Sequence, residues 1–123
     1  MRLLVSGYRG FTDKKVIKKE ISGIFQKHNL DQEKVIIHGG CPTGVDFIAD
    51  MIAREEKWNT EVFLADWSKY NKSAGPIRNR QMIIEGKPDM AILFLSPQSR
   101  GTKNMLTLIE QYKIPHIVIN LKD

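Results

Sequence analysis

Residues 35–46 read Val35-Ile36-Ile37-His38-Gly39-Gly40-Cys41-Pro42-Thr43-Gly44-Val45-Asp46. The first four have the composition of a short strand and run directly into a paired-glycine turn. Thr43 is placed to cap a helix over residues 44–57, and Asp46, three positions on, resembles a capping-box partner with Asp in place of the usual Glu. Ile48 and Ile52, with Met51 or Ala49, supply the inner face of that helix. A strand that ends in glycines and hands over to a capped helix gathers free backbone N–H groups in one concavity. Such a concavity suits an anion.

The same strand-to-helix unit recurs outward from this stretch. Residues 2–6 form a buried strand, residues 7–11 a loop, and Thr12 caps a helix over 13–28 whose apolar positions Val16, Ile17, Ile21, Ile24 and Phe25 keep helical spacing. Asn29 and Asp31 break that pattern. Residues 60–65 are a third strand, followed by a polar loop over 66–75 and a helix of about ten residues with Pro76 at its first position. Gly86, Lys87 and Pro88 end it. Residues 90–95 are continuously apolar, as a central parallel strand should be. A loop over 96–100 and Gly101-Thr102 lead into a helix over 103–112, and Ile114-Pro115 turns the chain into a last strand, 116–119. Strands and helices alternate with no hairpin signal. The expected architecture is a single domain over residues 1–123, α/β in class: a Rossmann-like three-layer α/β/α sandwich with a five-stranded, mostly parallel sheet.

Composition fits that architecture. With 123 residues, 41% hydrophobic and 27% charged, the chain is long enough for a real core and too apolar for disorder. No apolar run approaches the roughly 18 to 20 residues of a membrane span. The opening apolar run meets Ser6-Gly7 too soon for a signal peptide. The lone Cys41 excludes an internal disulfide framework, and a cytoplasmic setting is expected. His28, His38 and His116 lack the spacing of a metal site, so no metal or cofactor is expected. The formal charge of +5 raises nucleic acid as a partner. However, Lys14, Lys15, Lys18, Lys19 and Lys27 all fall in the first helix without interleaved aromatics, which fits a solvated face better.

Right-handed crossovers put the loops after the first four strands on one edge of the sheet, where such folds bind ligands. Gly39, Gly40, Thr43 and Gly44 read either as a phosphate cradle or as a tight turn with a good cap. Asp46 reads as a cap partner. Gly7, Tyr8 and Arg9 follow the first strand: Arg9 could clamp a phosphate with its fork, and Tyr8 could stack on a base or cover the sheet edge. Asp66 and Trp67 leave the third strand as a carboxylate and an aromatic wall. Arg78, Asn79 and Arg80 lie in one helical turn; the two arginines do not share a face, and Asn79 could bond a ribose or base. Ser96, Gly101 and Thr102 supply a second polar turn into a helix N-terminus. His38 is a further possible contact from a strand end.

These loops together resemble a known group. Residues 6–13 (SGYRGFTD), 38–46 (HGGCPTGVD), 65–67 (ADW), 74–82 (AGPIRNRQM) and Gly101-Thr102 are similar, in order and spacing, to the YspA-related small proteins. Those proteins carry a domain of unknown function in the SLOG superfamily, which unites lysine-decarboxylase-like (LOG) proteins with DNA-processing protein A. The resemblance covers nearly the whole chain. It implies a Rossmann-like fold and a nucleotide or nucleotide-derived ligand, bound by a sensor or accessory protein. It also implies an arginine near the ribose at Arg78 or Arg80 and phosphate binding at Gly101-Thr102. The superfamily's enzymes resemble phosphoribohydrolases that cut the N-glycosidic bond of nucleoside 5'-monophosphates, and they place a Glu where this chain has Asn104. Asn cannot act as a general acid, which disfavours that alternative unless Asp13, Asp46 or Asp66 substitutes. A DNA-binding accessory role is the remaining alternative, and a homo-oligomer is compatible with the fold.

Overall fold

A computed structural model describes residues 1–28 and 32–122, so the expected break at Asn29 and Asp31 lies outside the described residues. In chain order the elements are β1 (Arg2–Gly7), α1 (Lys14–Lys27), β2 (Val35–His38), α2 (Val45–Glu56) and β3 (Asn59–Val62). Then come α3 (Trp67–Tyr70), a 3-10 turn (Asn71–Ser73), α4 (Ala74–Ile84), β4 (Met90–Leu95), α5 (Arg100–Gln111) and β5 (His116–Asn120). The five strands form one sheet in the order β3-β2-β1-β4-β5, and every pairing is parallel. This is the Rossmann-like α/β fold, with a wholly parallel sheet.

Period-two alternation in the central strands sorts the core into two layers. Leu3, Val5, Ile36, Ile92 and Phe94 pack with Ile17, Ile21 and Phe25 of α1 and Val45, Ile48 and Ile52 of α2. Their neighbours Leu4, Ile37, Ala91 and Leu93 point the other way, onto Met82 and Ile83 of α4 and Met105, Leu108 and Ile109 of α5. The strand order reverses between β1 and β4: the chain goes from β1 outward through β2 and β3, then returns to the far side of β1. Neighbouring loops therefore diverge at the carboxyl ends of β1 and β4, leaving a crevice.

Several boundaries differ from expectation for identifiable reasons. The third strand ends at Val62 rather than residue 65, because its partner β2 has only four residues and the last ladder bond runs from Phe63 N to His38 O (3.0 Å). The expected loop 66–75 contains α3, the 3-10 turn and the start of α4. Pro76 is thus the third residue of its helix, still within the first turn, where no N–H is needed. The last helix begins at Arg100 rather than residue 103. Asp13, not Thr12, caps α1 by accepting from Val16 N (3.2 Å). Gly44, not Thr43, is the N-cap of α2, with φ 78° and no side-chain cap bond.

Candidate functional site

A pocket of about 270 Å³ opens in the crevice between the ends of β1 and β4. Ser6, Gly7, Tyr8 and Arg9 form one wall, and Gln98 with Ser99, Arg100, Gly101 and Thr102 forms the opposite one. Gly39, Cys41 and Asp46 close it from the β2 side, and Arg78, Asn79 and Met82 of α4 form the floor. Gly7 permits the approach of α2 to β1, because a Cβ there would lie 2.6 Å from Val45 Cγ2 and 2.9 Å from Phe94 Cβ. Tyr8 Oη donates to Gln98 Oε1 (3.0 Å), tying the two walls together at the rim.

The floor is built around Arg78. Its Nη1 donates to Gly39 O (2.6 Å) and, at the limit of reach, to Phe63 O (3.5 Å), while Nε donates to Asn79 Oδ1 (3.0 Å). Gly39 makes room for the guanidinium, since a Cβ there would lie 2.5 Å from Nη1. Burial pushes the Arg78 guanidinium below its ordinary range; Asp46 and Cys41 oppose this, and the neighbouring Arg9 reinforces it. The group remains a cation at neutral pH. Arg9, Arg78 and Arg100 thus surround one space with like charge, and an anion entering it would relieve their repulsion.

The opposite wall carries a helix N-terminus. Ser99 is the N-cap of α5 without a side-chain cap bond, and its backbone O accepts from Lys103 N (3.0 Å). The N–H groups of Gly101 and Thr102 precede that first helical bond and have no acceptor among the described residues. Thr102 is only 3% exposed, yet its hydroxyl has no hydrogen-bond partner among the described residues and opens on the pocket. Two backbone donors, a hydroxyl and the positive end of a twelve-residue helix converge there.

The profile of the YspA, cpYpsA-related SLOG family matches residues 1–70. The chain belongs to this family. Gene 61 protein of Mycobacterium phage D29 is 32% identical over 127 residues, covering 99% of this chain and 97% of that protein. No solved structure matches this chain.

In this SLOG chain, Gly7, Tyr8, Arg9, Gly39, Asp46, Arg78, Asn79, Gly101 and Thr102 share the pocket. The other candidates have different places. Gly40 takes φ 71° against Leu64 and Val62, Thr43 is exposed, and Gly44 is buried against the Arg9 backbone. Ser96 is buried in its own turn, with Oγ accepting from Gln98 N (3.2 Å), backbone O accepting from Ser99 N (3.0 Å), and its N–H donating to Ser99 Oγ (2.9 Å). Asp66 caps α3 through Lys69 N (3.1 Å), and Trp67 is 55% exposed. Arg80 lies in a separate groove between α4 and α5, together with Asn104. The position at which the resembled enzymes carry Glu therefore does not line the crevice.

Asp46 is not a capping-box partner. Its Oδ2 reaches back to accept from Gly39 N (3.2 Å) and Cys41 N (3.4 Å), holding the glycine turn in shape. Asn79 is a brace rather than a free contact: Nδ2 donates to Gly101 O (3.2 Å) and Asn104 Oδ1 (2.9 Å), while Oδ1 accepts from Arg78. Asn79→Asp removes both donors and sets a carboxylate against two oxygens. Chemical denaturation should show a loss of about 1–3 kcal/mol. Reading the sequence missed Ser6, Cys41, Met82, Gln98, Ser99 and Arg100 as lining residues. Only Arg100 carried a usable signal, as a cation adjoining Gly101-Thr102.

His38 lies beneath the turn with both ring nitrogens engaged. Nδ1 accepts from Gly40 N (3.0 Å), so Nε2 carries the proton donated to Asp50 Oδ1 (2.8 Å); Asp50 Oδ2 also accepts from Arg54 Nε (2.7 Å). Burial alone would raise the Asp50 carboxyl, but the His38 and Arg54 bonds outweigh it and leave it below its ordinary 3.8. A carboxyl depressed by folding contributes stability above its unfolded pKa, and that contribution fades as pH falls through the folded value. Asp50→Asn should therefore narrow its stability deficit against wild type as thermal unfolding is followed from about pH 6 into the acid range. A pH-independent deficit would contradict this assignment.

Proposed function

We propose that the chain binds a nucleotide or nucleotide-derived phosphorylated ligand in the crevice between β1 and β4, as a sensor or accessory protein. The observation that carries this reading is the convergence of Arg9, Arg78 and Arg100 on the open N-terminus of α5, where Thr102 presents its unpartnered hydroxyl. Membership of the SLOG family supports the same ligand class. The phosphate belongs at Gly101-Thr102, and Tyr8 at the rim offers a face for a base or sugar.

The N-glycosidase alternative is less well supported. Glycoside hydrolysis generally uses a pair of carboxyl groups, whereas Asp46 is the only one among the described residues that lines the pocket. Asp13 and Asp66 are engaged as helix caps instead. A DNA-binding role is weakened by the α1 lysines, two of which pair with α2: Lys14 with Glu55 (2.5 Å) and Lys18 with Glu56 (3.1 Å). No helix among the described residues is long and apolar enough to cross a membrane.

Titration calorimetry with nucleoside monophosphates, nucleoside diphosphates and diphosphate diesters tests the reading. Arg9→Ala should weaken the best ligand by about tenfold, the scale of one charge-assisted hydrogen bond. Unchanged affinity in that variant would place the ligand elsewhere. Chromatography of the same mixtures for free base tests hydrolysis, and none is expected.

A further inference from the structure

The cradle contains an acid where an anion is expected, which needs an explanation. Asp46 is 8% exposed and lines the pocket between Gly39 and Cys41. Its Oδ2 accepts from two backbone N–H groups, whereas Oδ1 has no hydrogen-bond partner among the described residues. Arg78, the nearest cation of the floor, spends its Nη1 and Nε hydrogens on Gly39, Phe63 and Asn79 and forms no ion pair with Asp46. An ionised carboxylate here would oppose any phosphate in the same space.

We propose that Asp46 works as a neutral acid, donating a hydrogen bond from Oδ1 to the bound anion, so that ligand binding takes up a proton. This rests on the reading of the crevice as an anion site. The two N–H groups at Oδ2 leave Oδ1 as the oxygen that carries the proton, and Oδ1 is the one free to face a ligand. Burial acts in the same direction by pushing the carboxyl above its ordinary 3.8, against the opposing pull of His38, the Cys41 and Gly39 N–H groups and Arg78. The groups facing it are His38 from β2, Cys41 from the glycine turn and Arg78 from α4, with Arg9 across the pocket. An incoming anion partly cancels the two arginines and so raises the proton affinity of Asp46 further. Asp46 thereby selects a ligand oxygen that can accept a hydrogen bond, in addition to the charge selection made by the arginines.

The test uses ADP-ribose as probe, because its diester phosphates do not titrate near neutrality, unlike a monoester with its second pKa of about 6. Calorimetry in two buffers of different ionisation enthalpy should show net proton uptake by wild type. Affinity should fall by up to about tenfold per pH unit once pH exceeds the free-protein value for Asp46. Asp46→Asn keeps an acceptor for Gly39 and Cys41 and presents an amide donor in place of the acid. It should bind with no proton uptake and a flat pH profile between about pH 5 and 8. An equal pH slope in the two proteins would overturn the proposal. A second readout stands apart from the ligand: in the free protein, the Gly39 and Cys41 amide NMR shifts should titrate together above the ordinary carboxylate range, and Asp46→Asn should abolish the step. A step at or below that range overturns the proposal whether or not ADP-ribose binds. Absence of ADP-ribose binding beside a high step would instead count against the nucleotide reading, with the neutral acid upheld.

Discussion

Gly44→Ala is expected to destabilise the fold by about 3 kcal/mol or more and to lower the thermal midpoint by roughly 10 °C. Gly44 has φ 78° and ψ −146°, a region that residues with a Cβ scarcely enter. A Cβ there would also drive into the backbone of Arg9, at its Cα, carbonyl carbon and oxygen. Backbone atoms cannot swing aside as the end of a side chain can. Either the Arg9 loop moves or α2 starts differently, and Val45 N, which donates to Tyr8 O (3.4 Å), moves with it. The variant should therefore lose ligand affinity together with stability, because the same atoms position Tyr8, Arg9 and Asp46. Thr43→Ala, one residue earlier and exposed, serves as the control: a surface change with no cap bond to lose should stay within about 0.5 kcal/mol.

Arg78→Ala has the second largest expected effect, divided between stability and binding. Removing the guanidinium leaves Gly39 O without its donor at 2.6 Å, frees Asn79 Oδ1, and opens a half-buried space beneath the glycine turn. Unpaired buried acceptors cost about 1–3 kcal/mol each, so a loss of about 2–3 kcal/mol in chemical denaturation is expected after partial rehydration. Loss of a floor cation should also weaken anion binding by about tenfold to a hundredfold. Arg78→Lys separates the two contributions. The ammonium keeps the charge but cannot hold Gly39 and Asn79 with a planar fork, so binding should recover more than stability. Equal recovery of both would mean that Arg78 acts through charge alone.

The strand-helix alternation and the carboxyl-edge loops were legible because hydrophobic periodicity is local and strong in this chain. Val35, Ile36 and Ile37 with the apolar run 90–95 announce central strands, and both are buried apart from Leu95 at the end of β4. Side-chain roles were harder to read because they depend on where each helix begins. Arg78 and Arg80 are equivalent in sequence, but the start of α4 at Ala74 turns Arg78 toward the crevice and Arg80 toward the groove beside α5. Asn79 and Ser96 have the polarity of ligand contacts, yet tertiary neighbours use their donors and acceptors. Asp46 illustrates the reverse case. Its spacing from Thr43 suggests a cap, but the positive φ of Gly44 displaces that cap and sends the carboxyl back under the turn. Arg100 was passed over because the helix begins earlier than its apolar pattern does, which brings that residue to the pocket wall.

On the proposed reading, the open N-terminus of α5 and the arginines of the crevice hold the phosphate of a nucleotide-derived ligand. Amide chemical-shift mapping during titration with ADP-ribose tests it most directly. The largest changes are expected at Gly101 and Thr102, followed by Gly39, Cys41 and Arg9, and they should be lost in Thr102→Val. Changes centred on the lysines of α1 or on the groove between α4 and α5, with Gly101 and Thr102 unmoved, would contradict it.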